Sequence, residues 1–370
     1  MRSRKTVKVK AAELRRFLSL LCATAGIGKL DAKCLVEGLI ETSLRGVDSH
    51  GVRLMPHYIR AVGLGRVDAV AKPRFKRIGR SAGILDARHG FGIPAGLAAM
   101  GKAMGMAKAT GVGAVAVKHS SHFGAAAIYA LQAARKNMIG FACTHSDALV
   151  FPHGGSKVFL GTNPVCFAAP CAGGNPFVLD MATSCISWNK LREHRSKALK
   201  LEPGLAADSR GRTCSDPHEA VGLLPASGYK GYGLALVVEI LCSTLTGMPA
   251  GPKISRMFPV DKRRRDLGHF FVAIDIARFT DLRGFRTRLA YLLKSLRAVP
   301  PAPSMPKVMV AGDPEWQTFA LRMRGGIPVS VDELKDFCSV AASLGMDTAR
   351  FRWLPHASSS AKPRSCRSQK

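Results

Sequence analysis

Apolar positions recur at helical spacing between residues 11 and 45: Leu14, Phe17, Leu18 and Leu21, then Cys34, Leu35, Gly38 and Leu39. Residues three and four apart share one helix face, so the spacing predicts a pair of amphipathic helices. They give way to a Gly-punctuated segment, GVDSHGVRLMPHY (46–58), which predicts a loop. The period then changes. GILDARHGFG reads as a strand, AGLAAMGKAMGMAKATG as a helix of small residues, and GVGAVAVKHS as a buried strand, an α/β signature. The small residues permit close helix-to-strand approach, although each glycine lowers helix propensity.

Between 119 and 240 short apolar strands alternate with turns: MIGFACT, the Gly-Gly loop of PHGGSKVFLGTNPVCFAAP, and PFVLDMATS, with a polar, basic connector before SGYKGYGLALVVEIL. The last part predicts a strand at LGHFFVAID (267–275), a helix at RGFRTRLAYLLKSLRA (283–298), a turn at PPAPSMP, a strand at KVMVAGDPEW and a closing helix at VDELKDFCSVAASLGM. Beyond Met346 the polar composition predicts a disordered tail.

At 370 residues and 47% hydrophobic the chain can bury a large core, in one large or two ordinary domains. Its longest apolar runs are too short for a bilayer, or are interrupted by Glu239. No membrane span and no secretory signal are predicted. The ten cysteines form no CxxC pair, which points to reduced thiols and a cytoplasmic protein. The histidines show neither HxxxH nor HExxH, so no metal site is expected.

Charge changes this picture: 55 Lys plus Arg against 25 Asp plus Glu give a net +30. Such a field attracts polyanions generally. The basic residues are spread out, with concentrations at 1–10, 189–200, 262–265 and 359–370, and none is interleaved with aromatics as a base-stacking platform would be. The reading is a solvated basic surface with frayed ends and no specific nucleic-acid partner.

Three loops have the chemistry to hold a cofactor. HSSHFGAAAIYA (119–130) places Ser120, Ser121 and His122 ahead of an Ala-rich helix whose first N–H groups could take a phosphate, or could simply be Ser-capped. SGYKGYG (227–233) adds Lys230 among glycines. Neither fits GxxxxGK[ST], and GFGIPAG (90–96) lacks the GxGxxG spacing, so a P-loop is excluded and a Rossmann domain is unsupported.

Eight segments in order, RGVDSHGVRLMPHY, LDARHGFGIPAGLAAM, GVGAVAVKHSSHFGAAAIYA, LGTNPVCFAAP, PFVLDMATS, SGYKGYGLALVVEIL, LGHFFVAID and GDPEW, resemble the malate/L-lactate dehydrogenase-type oxidoreductases over roughly residues 12–346. That family includes ureidoglycolate, sulfolactate and diketogulonate-acting enzymes and the cyclic-imine carboxylate reductases. The resemblance implies an α/β, non-Rossmann, L-sulfolactate dehydrogenase-like fold: a mixed-sheet cofactor domain with a helical substrate-side domain. It implies a homodimer, NAD or NADP, and reversible hydride transfer at the carbon alpha to a carboxylate, on a small 2-oxo or 2-hydroxy acid or a cyclic imino acid. The zones expected are 1–80, carrying the catalytic loop, 81–250, binding NAD(P), 251–346, completing the helical domain and the cofactor loop, and a basic tail at 347–370.

Within that resemblance His50 matches the proton-transferring group, which suits an imidazole because it titrates near neutrality. Ser49 stands beside it, and Asp48 orders the turn. Arg53 matches the carboxylate-binding cation, with Thr162, Thr183 and Ser184 as further substrate contacts. His122, Phe123, Gly124, Asp180, Met181, Ala182, Lys230, Gly231, Gly312 and Asp313 match cofactor contacts. His269 is expected to be structural.

The chain departs from the family between Asp180 and Asp208, where CISWNKLREHRSKALKLEPGLAAD replaces an ARGK-type stretch. Some members place there an Asp that orients the catalytic His; residues 181–207 contain none, leaving Glu193 and Glu202 as substitutes. His145 stands where the family has Asn, and CSDP (214–217) replaces TTDP. These changes and the charge admit an alternative, a catalytically impaired member with a basic, nonspecific anion-binding surface.

Overall fold

The computed structural model describes residues 6–355. The chain opens with β1 (Thr6–Val9), α1 (Ala11–Thr24), α2 (Lys29–Leu44) and α3 (Met55–Gly63). The apolar stripe of α1 is buried at Leu14, Phe17, Leu18 and Leu21, as the spacing requires. Next come β2 (Arg74–Arg77), β3 (Ala82–Asp86), α4 (Gly92–Thr110), β4 (Val112–Ser120), α5 (Ala127–Ala134), β5 (Met138–Thr144), β6 (Val165–Ala169) and β7 (Phe177–Met181). The second half holds α6 (Trp188–Lys197), the short β8 (Ala206–Ala207) and β9 (Gly222–Leu223), α7 (Tyr229–Glu239), β10 (Leu267–Asp275), α8 (Leu282–Arg297), α9 (Asp313–Gly325), β11 (Ile327–Ser330) and α10 (Val331–Ser343).

Seven strands form one sheet in the order β2-β3-β4-β10-β5-β6-β7. Only β3 and β4 pair in parallel, and β10 lies antiparallel between β4 and β5. The sheet is mixed and lacks the doubly wound parallel order of a Rossmann fold. Helix α4 approaches it closely: a Cβ on Gly113 of β4 would overlap the backbone of Ala103, and one on Gly96 would strike the rings of Tyr129 and Phe271. We keep the sequence division at residues 80 and 250 as a proposal about which side of the site each zone serves; the sheet crosses both boundaries.

Three expectations are corrected. Residues 307–310 form no strand, because the chain there folds back and the Val310 N–H is taken by the Asp313 carboxylate at the start of α9 (3.1 Å). The tail is packed as far as residue 355: Phe351 and Leu354 are buried, and Phe351 and Trp353 set their rings edge-on to Phe17 at 5.0 and 5.2 Å. Residues 356–370 and 1–5 lie outside the described residues. The basic run 262–265 is not uniformly solvated, since Arg265 turns inward, buried, and pairs with Asp147.

Candidate active site

Helix α2 ends at Leu44, and two short 3-10 turns, Asp48–His50 and Val52–Leu54, carry the chain into α3. Two anchors hold this segment. The Asp48 carboxylate receives both terminal nitrogens of Arg322 on α9 (2.5 and 2.9 Å), and the Val52 N–H donates to the Ser43 hydroxyl (2.9 Å). The segment opens into a cleft of about 480 Å³ lined by Ser49, His50, Arg53, His57, Arg60 and His122, with Asn189, Arg192, Met257 and Phe258 and the α10 residues Asp332, Glu333, Lys335, Asp336 and Ser339.

The structure brings His50 and His122 together, rings stacked with centroids 5.5 Å apart. Each ring has a hydroxyl on Nδ1: Ser49 Oγ at 2.8 Å from His50, and Tyr58 OH at 2.9 Å from His122. Where the hydroxyl accepts from Nδ1–H, Nε2 presents its lone pair and can take a proton; where the hydroxyl donates to Nδ1, Nε2–H can hydrogen-bond a substrate oxygen. Ser49 is thus the hydrogen-bond partner of His50, where Glu193 and Glu202 were the candidates. Glu193 is instead bound to Lys190 and Lys197, and Glu202 is exposed.

Burial dominates the electrostatics. It pushes His50 down to about 4, with positive Arg53 adding to the push. It holds His122 well below its ordinary value, followed by the influence of His50 and Arg265, and drives His57 down to about 3, helped by Arg265, Arg66 and Arg60. All three imidazoles are neutral at pH 7. Arg53 leans on Glu333 at 3.8 Å, while Arg60 is paired with Asp336.

The expected cofactor side gathers around the end of β7. Asp180 accepts the Ala127 N–H at the start of α5 (2.8 Å), which joins β7 to the loop holding His122, Phe123 and Gly124. Thr183 donates its N–H and its hydroxyl to the Thr162 carbonyl (2.9 and 3.0 Å), and the Ala226 N–H donates to the Thr183 carbonyl (2.9 Å). These bonds draw together Thr162, Thr183, Ser184 and the loop leading to Lys230 and Gly231. Gly312, at φ +92°, presses on Val178 of β7, where a Cβ would clash.

The donor set fits a dinucleotide. Lys230 is exposed, Asp180 is exposed with Oδ1 without a hydrogen-bond partner among the described residues, and Met181 offers exposed apolar surface. Cation, hydroxyl acceptor and apolar face suit phosphate, ribose and a ring. Two matched residues have structural work besides. Asp313 is paired with Arg297 (2.7 Å), and Phe123 is buried against His269 (4.8 Å between centroids).

Sequence reasoning missed Tyr58, Asn189, Arg192 and the Met257–Phe258 wall. His57 and Tyr58 stand in the 46–58 segment itself, whereas Asn189 and Arg192 sit in the polar connector, whose composition reads as a solvated face. His269 is buried, bridging Ser120 Oγ (2.8 Å) and Thr144 Oγ1 (2.7 Å) across three strands. His145 accepts the Gly268 N–H (2.8 Å) and faces Glu239 at 3.7 Å.

Comparison with known proteins places this mixed sheet and its cleft in a class of oxidoreductases. The malate/L-lactate dehydrogenase family profile matches residues 9–338, and the chain belongs to that family of NAD(P)-dependent 2-hydroxy acid dehydrogenases. It is 34% identical over 350 residues to a malate dehydrogenase of Pyrococcus abyssi, covering 92% of this chain and 96% of the relative. It is 32% identical over 306 residues to the ureidoglycolate dehydrogenase (NAD(+)) of Escherichia coli O157:H7, covering 83% and 88%. The sulfolactate dehydrogenase of Methanocaldococcus jannaschii superposes with a TM-score of 0.86 at 29% identity, over 92% of this chain and 98% of that one.

Proposed function

We propose that this chain is an NAD(P)-dependent dehydrogenase that removes a hydride from the alpha carbon of a small 2-hydroxy acid and, in reverse, reduces the 2-oxo acid or a cyclic imino acid. The observation that carries the reading is the convergence of His50, oriented by Ser49, with Arg53 in one cleft. Arg53 binds the substrate carboxylate in a two-pronged contact and fixes the alpha carbon. In oxidation His50 turns its Nδ1–H toward Ser49 Oγ and takes the hydroxyl proton on Nε2; in reduction it returns that proton. Burial is the main reason His50 is held low, and a carboxylate seated on Arg53 offsets the smaller push of that cation, so binding itself raises the basicity of the ring. His122, stacked on His50, closes the other side. The 122–124, 180–182, 230–231 and 312–313 loops would hold the nucleotide of a nicotinamide cofactor, which would supply or accept the hydride.

The rewritten 185–208 stretch lends two residues to the cleft wall, which supports an adapted site over an impaired one. Exposed Leu234, Leu236, Val237 and Ile240 on and just after α7 make an apolar face that supports a homodimer. The free thiols of the described cysteines support a cytoplasmic setting.

The test is fluorescence titration with NADH and NADPH, then an absorbance screen with pyruvate, oxaloacetate, 2-oxoglutarate, ureidoglycolate and Δ1-piperideine-2-carboxylate, for the native chain and His50→Ala. Saturable binding of one nucleotide with His50-dependent turnover establishes the reading. A folded protein that binds neither nucleotide refutes it.

A further inference from the structure

We propose that Arg192 is a specificity-determining cation of this cleft, binding a second anionic group, so that the preferred substrate is a 2-hydroxy acid with a distal carboxylate or sulfonate. This rests on the dehydrogenase reading above. Arg192 lies in the stretch that departs from the family pattern, on a helix whose rotation is fixed. Ser187 caps its start by accepting the Lys190 N–H (3.2 Å), and Leu191 is fully buried. With Leu191 turned in, Asn189 and Arg192, three apart and so on one face, both line the cleft.

What separates Arg192 from the other cations is its lack of a partner. Arg60 is bound to Asp336, and Arg53 has Glu333 at 3.8 Å. The guanidinium of Arg192 lies over the Phe258 ring, 5.8 Å from its centroid, and no carboxylate pairs with it among the described residues. An aromatic face steadies the planar fork while leaving its edge donors free, which suits an incoming carboxylate or sulfonate. A monocarboxylic acid would engage Arg53 and leave Arg192 unanswered. Among the described residues Lys335 also lacks an ion pair, but its ammonium is a point charge on a flexible stem and lacks the planar fork that grips a carboxylate or sulfonate at two points.

The test compares kcat/KM for both enantiomers of malate, for 3-sulfolactate and for lactate, using the native chain, Arg192→Ala, Arg192→Lys and Lys335→Ala. A charged hydrogen-bonded contact predicts a preference for the dianions that falls roughly 10- to 100-fold in Arg192→Ala, mostly through KM. Arg192→Lys should recover part of it, and Lys335→Ala should move the ratio less than about threefold, as expected for an exposed point charge without the two-pronged geometry. An unchanged ratio in Arg192→Ala, or a ratio that moves with Lys335 instead, overturns the inference. So does a weakened nucleotide Kd at constant ratio, which would assign Arg192 to the cofactor. If no 2-hydroxy acid turns over, the dehydrogenase reading falls. Calorimetry with succinate against butyrate then decides the role of Arg192: a preference for the dianion lost in Arg192→Ala supports it, and equal binding overturns it.

Discussion

Acid should destabilise this fold well before its carboxylates titrate, because His57 and His269 are buried and held neutral. Burial is the leading cause for both. Arg265, Arg66 and Arg60 add to it at His57, and His145 at His269, and each ring is pushed down to about 3. The unfolded chain takes up a proton at each site near pH 6.5, the native state only near 3, so stability is lost as pH falls through that window. Once well below 6.5 each site costs about 1.4 kcal/mol per pH unit, which integrates to about 1.9 kcal/mol from pH 7 to 5, or about 4 kcal/mol for the pair. Asp180 works the other way: desolvation pushes its carboxyl up to about 6 against the pull of the Ala127 N–H and Arg45, which both favour the carboxylate, but the residue is exposed and its contribution is the smaller. Urea unfolding at pH 7, 6 and 5 at constant ionic strength reads the slope directly. The double variant His57→Gln, His269→Gln carries groups that never ionise, so its pH 7-to-5 loss should be about 4 kcal/mol less than that of the native chain, whatever its absolute stability. Parallel curves for the two proteins would refute the reasoning.

The free-enzyme kcat/KM for oxidation should keep its activity below pH 6.5 and lose it only toward pH 4, since His50 is already deprotonated above its lowered value; an acid limb at 6.5 would deny the effect of burial and Arg53. Gly51→Ala should cost about 1–3 kcal/mol of stability and slow turnover, because its Cβ would overlap the Ser43 hydroxyl that receives the Val52 N–H; thermal unfolding unchanged from native would contradict this packing. Raising salt from about 0.05 to 0.3 M should strip DNA or heparin from the surface by orders of magnitude, while KM for a 2-hydroxy acid moves only a few-fold. Both falling together would make the cleft part of the general field.

How far the sequence revealed this arrangement depends on where each signal is written. The strands 138–144 and 267–275 were legible to the residue because each is a short apolar run flanked by turn chemistry. The candidate loop stood out because Asp48, Ser49, His50 and Arg53 crowd one short segment, and three of the four line the cleft. Arg265 was not, since its partner Asp147 is 118 residues away and nothing in KRRR tells which of four cations turns inward. Lys307–Val310 has strand composition but pairs with no strand among the described residues, and its Val310 N–H is taken by Asp313. Helix α6 was hidden for a different reason. Among its ten residues only Leu191 is buried, so it carries too little apolar periodicity to stand out from a solvated connector.

The +30 charge is also less uniform than its sum suggests. Arg45, Arg66 and Arg265 are buried, and two of them act as clamps: Arg66 donates to the carbonyls of Met257, Arg256 and Arg263, and Arg265 to that of Ser255 and to Asp147. Together they hold the 255–265 loop, which supplies the Met257–Phe258 wall of the cleft. In the cleft itself Arg53, Arg60, Arg192 and Lys335 face Asp332, Glu333 and Asp336, a near balance in a chain with more than twice as many cations as acids. The histidines do not tip it, because burial keeps them neutral at pH 7. Selectivity here cannot come from the overall field, which would draw in any anion. It comes from which guanidinium is left without a partner, and that is set by the face of α6 that Leu191 turns toward the cleft.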